Sequence, residues 1–94
     1  MTPVLVTGPD GPLDASWVEA GSASEVERHA RAGRTVVVTL SGDENTQLAT
    51  AAVFAWLGAR VFRTDHQEQV RLAIDMTESL AGRRPPELAR RGLA

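Results

Sequence analysis

Apolar positions along this chain alternate between a strand-like and a helix-like spacing. Pro3-Val4-Leu5-Val6-Thr7 is a short β-branched run, and Gly8-Pro9-Asp10-Gly11-Pro12 behind it is dense in turn residues. Residues 14–20 show no decided period and read as a single helical turn carrying Trp17 and Val18. A helix start follows, where Ser22/Glu25 and Ser24/Glu27 both have capping-box spacing. Val26 and Ala30 share a face of that helix, and Gly33 sits where a C-terminal glycine belongs.

The clearest strand is Thr35-Val36-Val37-Val38-Thr39-Leu40, continuously apolar, as when both faces of a sheet are covered. A second helix is predicted over residues 43–57, closed by Gly58 and rich in alanine. Leu48, Ala52 and Ala55 form its stripe, which Val53 and Trp56 widen. Arg60-Val61-Phe62-Arg63 makes a short third strand. Over residues 67–81, Val70, Ala73, Ile74, Thr77, Leu80 and Ala81 give the best helical periodicity in the chain. Gly82 ends that helix and Pro85-Pro86 forbids its continuation, while residues 87–91 have room for one more turn.

The predicted fold class is therefore α/β, with three β-α units, a small parallel sheet and right-handed crossovers. Residues 1–82 form one βαβαβα domain, and residues 83–94 form a basic Arg/Pro-rich tail. Three strands are few for an isolated parallel sheet, so completion by homo-oligomerisation is expected.

Composition narrows the chemistry. The 94 residues contain no cysteine, tyrosine or lysine, and all ten basic residues are arginine. That excludes disulfides, thiolate metal sites, Schiff-base chemistry and a Walker-type phosphate loop. The net charge of −2 divides into +3 on residues 83–94 (four arginines, one glutamate) and −5 on the rest (six arginines, eleven carboxylates). An acidic body argues against general nucleic-acid binding. With no leader pattern and no apolar stretch near the roughly 20 residues a bilayer needs, a cytoplasmic protein is expected.

Sites in parallel sheets gather at the carboxyl ends of the strands. Here those ends are Thr7-Gly8-Pro9-Asp10, Ser41-Gly42-Asp43-Glu44 and Arg63-Thr64-Asp65-His66. The glycines of the first fit neither phosphate-loop spacing, and a plain turn is the better reading. At the second, Asp43 and Glu44 complement the dipole of the following helix. The third is richer. Arg63 needs either a carboxylate partner or an anionic ligand. Asp65 and Glu68 have capping-box-like spacing, and His66 reads as a base, a ligand donor or a solvated first-turn residue. His29, beside Arg28 and Arg31, belongs to the surface. Two histidines without close carboxylate–histidine spacing predict no metal site.

From Ser41 onward the chain resembles the last two strand–helix units of the dihydropteroate synthases, the pterin-binding TIM barrels of folate synthesis. The carrying segment is Thr50-Ala51-Ala52-Val53-Phe54-Ala55-Trp56-Leu57-Gly58-Ala59-Arg60-Val61-Phe62-Arg63. In that family an alanine-rich helix and a Gly-Ala turn lead into an apolar strand ending in Arg-x-His-Asp, whose arginine and histidine help hold the anionic group of the pterin. Arg63 falls on the arginine, whereas Asp65 and His66 stand exchanged at the next two positions. The family's preceding Ser-Arg-Lys is Ser41-Gly42-Asp43 here, so its substrate-contacting lysine is lost. Residues 1–33 carry no match.

The resemblance implies a truncated, non-catalytic dihydropteroate-synthase-like domain, a TIM-barrel fragment binding a pterin-like or other small anionic ligand. Arg63, His66, Asp65 and Ser41 are its expected ligand-binding residues, with no catalytic residue and no cofactor. The alternative is a homo-oligomeric or partner-binding module without a ligand, using Trp56 and Trp17 at its interface. A hydrolase or isomerase using His66 with Asp10 or Asp43 ranks third.

Overall fold

A computed structural model of the chain describes residues 3–83, so the basic tail from residue 84 on, including the possible turn at 87–91, lies outside the described residues. The order of elements is β1 (Leu5–Thr7), β2 (Val18–Glu19), α1 (Ala23–Arg31), β3 (Val36–Thr39), α2 (Glu44–Leu57), β4 (Val61–Arg63) and α3 (Gln67–Leu80). The fold is α/β, with a parallel sheet of four strands in the order β1-β4-β3-β2.

The fourth strand corrects the expected helical turn at residues 14–20. Val18 N–H donates to the Thr35 carbonyl and Ala20 N–H to the Val37 carbonyl, each near 3 Å, so the segment is held by pairing with β3. Two residues are too few to display a period of two, and the tertiary partner decides their conformation.

Local chemistry sets the helix ends. Ser22 caps α1 by accepting from the Glu25 N–H, while the Glu25 carboxylate accepts from the Gly21 N–H. Asp43 caps α2 through the Thr46 N–H at 2.8 Å. Gly58, at φ 114°, closes α2 in the left-handed conformation that a side chain resists.

All three helices lie on one face of the sheet, α2 between α1 and α3. Their core comprises Val26, Ala51, Ala55, Val70 and Ile74 against Val36, Val38 and Phe62. The buried stripe of α2 is Gln47, Ala51 and Ala55, so Val53 and Trp56 stand exposed instead of widening it. On α3, Leu80 is likewise exposed although it lies on the predicted apolar face.

Alternation along β3 and β4 sends Val37, Val61 and Arg63 to the other face, which no helix covers. Val37 and Val61 are nevertheless only 1% and 3% exposed. Residues 8–17 must return the chain from the β1 edge to the β2 edge. This return runs opposite to the steps made by α1 and α2, so right-handedness places it on the helix-free face. The contacts agree: an Arg63 guanidinium N–H donates to the Pro9 carbonyl, and Gly11 lies so close to Thr7 that a Cβ there would clash.

At the opposite end of the sheet a buried ion-pair cluster ties the elements together. Arg60 grips both oxygens of Glu78 at 2.7 and 3.0 Å. Arg83 adds a bond to Glu78 at 2.8 Å and reaches the Ala55 carbonyl at 2.7 Å, satisfying the end of α2. Burial pushes the Glu78 carboxyl up, but the hydrogen bonds and charges of Arg60 and Arg83 outweigh it and hold it at about 2.

Because this pKa is depressed, the stability it contributes is present above the ordinary glutamate value of 4.5 and is lost as pH falls toward 2. Glu78→Gln should lower stability at pH 7 by roughly 3 kcal/mol and flatten the loss between pH 4.5 and 2. Thermal unfolding across that range checks both, and a slope equal to wild type would remove Glu78 from the acid response.

Candidate functional site

The carboxyl ends of β1, β3 and β4 do converge, but their polar residues divide between two sides of the sheet. One group lies where α2 and α3 begin. Gln47, buried on the core stripe of α2, donates through its amide nitrogen to the Gly42 carbonyl and to Asp65 Oδ1, both at 2.9 Å. Its amide oxygen accepts from the Thr64 hydroxyl at 2.5 Å, and that hydroxyl accepts from the His66 N–H at 2.9 Å. One side chain thus locks the β3–α2 turn to the β4–α3 turn.

This network fixes the predicted site residues Asp65 and His66. The Asp65 carboxyl is held below its usual range by the Gln47 amide first and by its own backbone N–H second. It does not cap α3: His66 is the N-cap residue and no side chain closes the helix start. The expected Asp65/Glu68 box is absent: α3 takes His66 as its N-cap, one residue past Asp65, and Asp65 Oδ1 accepts from Gln47 instead. The His66 imidazole lies between two carboxylates, with Nδ1 3.7 Å from Glu44 and Nε2 3.8 Å from Asp65. Asp43, capping α2, is also held low, chiefly by the Thr46 N–H.

The second group lies on the helix-free face. In register across the sheet, Thr7, Arg63 and Thr39 form one row, an arginine flanked by two hydroxyls. Thr7 donates to the Gly8 carbonyl at 3.2 Å, and Thr39 is exposed. Arg63 is half-buried and, among the described residues, makes no ion pair. Its hydrogen-bond partner is the Pro9 carbonyl, and its Nε is buried without one. A cation in this position, offset by no carboxylate, is costly unless something anionic completes it.

The structure therefore separates residues that the sequence placed in one site. Arg63 serves the helix-free face, and His66 and Asp65 serve the start of α2. Ser41 is exposed in the β3–α2 turn, and Gly42 beside it takes φ 95°. Trp17 is half-buried in the connection leading to β2, whereas Trp56 is 55% exposed on α2.

Arg34, Arg60 and Arg83 line a cleft of about 280 Å³ at the amino ends of the strands. The chains leaving α1 and α2 open onto it, and cations there complement helix C-terminal dipoles. His29, expected on the surface, is half-buried with Arg34 3.5 Å from its Nδ1. Glu78 and backbone carbonyls already engage Arg83, so this cluster reads as structural.

No group of three or more potential metal ligands occurs among the described residues. No described helix is long and apolar enough to cross a membrane. Comparison with protein-family models, with curated proteins and with solved structures gives no match for this chain.

Gln47 went unrecognised in the sequence. Its signal is a polar residue four and eight positions before Ala51 and Ala55, on the buried stripe. Gln47→Leu keeps the bulk and removes every bond, leaving the buried Thr64 hydroxyl without its acceptor. The expected cost is about 2–3 kcal/mol in urea unfolding. A variant as stable as wild type would show that the two turns hold their positions without it.

Proposed function

We propose that this chain is a non-catalytic domain that binds a small anionic ligand on its helix-free face, with Arg63 as the charged contact. The observation that carries the reading is Arg63 itself: an arginine at the carboxyl end of a central parallel strand, with no carboxylate partner among the described residues and a buried, unbonded Nε. Thr39 beside it in the row adds an exposed hydroxyl donor suited to phosphate or carboxylate oxygens.

The resemblance to dihydropteroate synthases supplies the first candidate, a pterin carrying a phosphate or diphosphate group, and the corresponding arginine of that family serves the same purpose. Helices on one face of a parallel sheet, as here, are compatible with a piece of a β/α barrel. His66 drops out of the direct contacts, since Glu44 and Asp65 flank its ring. The exchange of His and Asp relative to the family thus puts the repelling Asp65 carboxylate on Gln47, away from Arg63. The non-catalytic part of the reading rests on residue types: the family's substrate-contacting lysine is missing, and the chain has no lysine or cysteine to take its place.

Inorganic pyrophosphate and a pterin diphosphate analogue, titrated calorimetrically, test this reading. Binding should weaken at least about tenfold in Arg63→Ala, the usual worth of a charge-assisted hydrogen bond, with circular dichroism unchanged. Equal affinity in the variant, or no binding of either compound to wild type, would overturn the assignment.

A further inference from the structure

The outer face of the helical layer poses a separate question. α2 carries a single charge, Glu44, in its first turn, and none over the following thirteen residues. A helix this apolar on all sides belongs in an interior. Yet only its Gln47–Ala51–Ala55 side is buried against the sheet and its neighbours. On the opposite side Val53 and Trp56 are about half exposed. α3 continues the surface with Met76 and Leu80, 68% and 74% exposed.

The shape of that surface matters as much as its polarity. Val53 and Trp56 form a ridge with a groove on either side. On the flank toward α3 lies a groove of about 290 Å³, walled by Ala52, Trp56, Thr77 and Leu80. The other, of about 320 Å³, is lined by Ala49, Thr50, Val53 and Phe54. A ridge with grooves beside it on one helix is complementary to its own copy, because ridges into grooves is the way helices pack. Twofold association requires that self-complementarity of a patch.

We infer that the α2–α3 face is a homodimer interface, in which the Val53–Trp56 ridge of each copy enters a groove of the other. The extent is sufficient. Leu72 lies one turn before Met76 on the same stripe of α3 as Leu80, and with Val53 and Trp56 these residues expose roughly 500 Å² of side chain per copy, at about 100 Å² for each large apolar residue. Two copies then bury on the order of 1,000 Å², the threshold for a specific interface. The absence of charge along the ridge favours the same answer, since a partner of other sequence would find no charge there to set its register. This face lies across the sheet from Arg63, so dimerisation leaves the proposed ligand face open, and the two readings stand or fall separately.

Light scattering and sedimentation of the wild-type chain and two variants decide the matter. Wild type should run as a dimer at tens of micromolar, and Trp56→Glu and Val53→Glu should each run as folded monomers, weakening association at least 100-fold. Leu13→Glu, which places the same charge in the 8–17 connection, should leave the dimer intact. A wild-type monomer at all concentrations would overturn the proposal. A dimer that survives both α2 variants would overturn it too, as would one lost equally in Leu13→Glu. Circular dichroism on each variant separates lost assembly from lost fold.

Discussion

Everything particular to this fold follows from how the chain gets from β1 to β2. Those two strands occupy opposite edges of one parallel sheet, and no helix joins them. The two helical crossovers each step one strand in the same direction, which stacks α1 and α2 on a single face, and α3 packs beside α2 on that face. The β1–β2 connection travels the other way, so the same right-handed rule sends it across the opposite face. That passage lays Pro9 and Gly11 over Thr7 and Arg63, and it gives the helix-free face the only chemistry proposed for it.

The two ends of the sheet divide the remaining work. At the amino ends, Glu78 gathers Arg60 and Arg83 into a buried cluster whose strength lies in several good bonds, offsetting the cost of taking the charges from water. At the carboxyl ends, Gln47 does with neutral groups what the cluster does with charges, and joins two turns that the backbone leaves separate. Arg63 stands outside both arrangements. Among the described residues, the buried Arg63 Nε lacks a partner on one face, and the outer side of the apolar α2 stands exposed on the other.

Much of the fold was legible in the sequence, because its signals are local. The β3 run, the glycine at the end of α2 and the periodicity of α3 are each written in consecutive residues. β2 was hidden because two residues hold no pattern and its partner is supplied by β3. Leu80 and Trp56 were misplaced for a different reason: apolar spacing identifies a helix but does not say which of two apolar sides meets the sheet. Buried Glu78 and Gln47 were invisible as core residues, since a polar side chain goes inside only when partners distant in sequence satisfy it. Of the predicted site, Arg63 kept its place at a strand end. His66 and Asp65 parted from it because adjacent positions after a strand need not share a face.

The most direct measurement is the arginine Nε–H region of a ¹H–¹⁵N spectrum, followed while pyrophosphate is added to the intact chain. The Arg63 resonance, from a buried and unbonded Nε, should move and saturate while those of Arg34, Arg60 and Arg83 stay in place. A stationary Arg63 signal, or shifts confined to the three arginines at the other end of the sheet, would contradict the account and move the anion site away from the helix-free face.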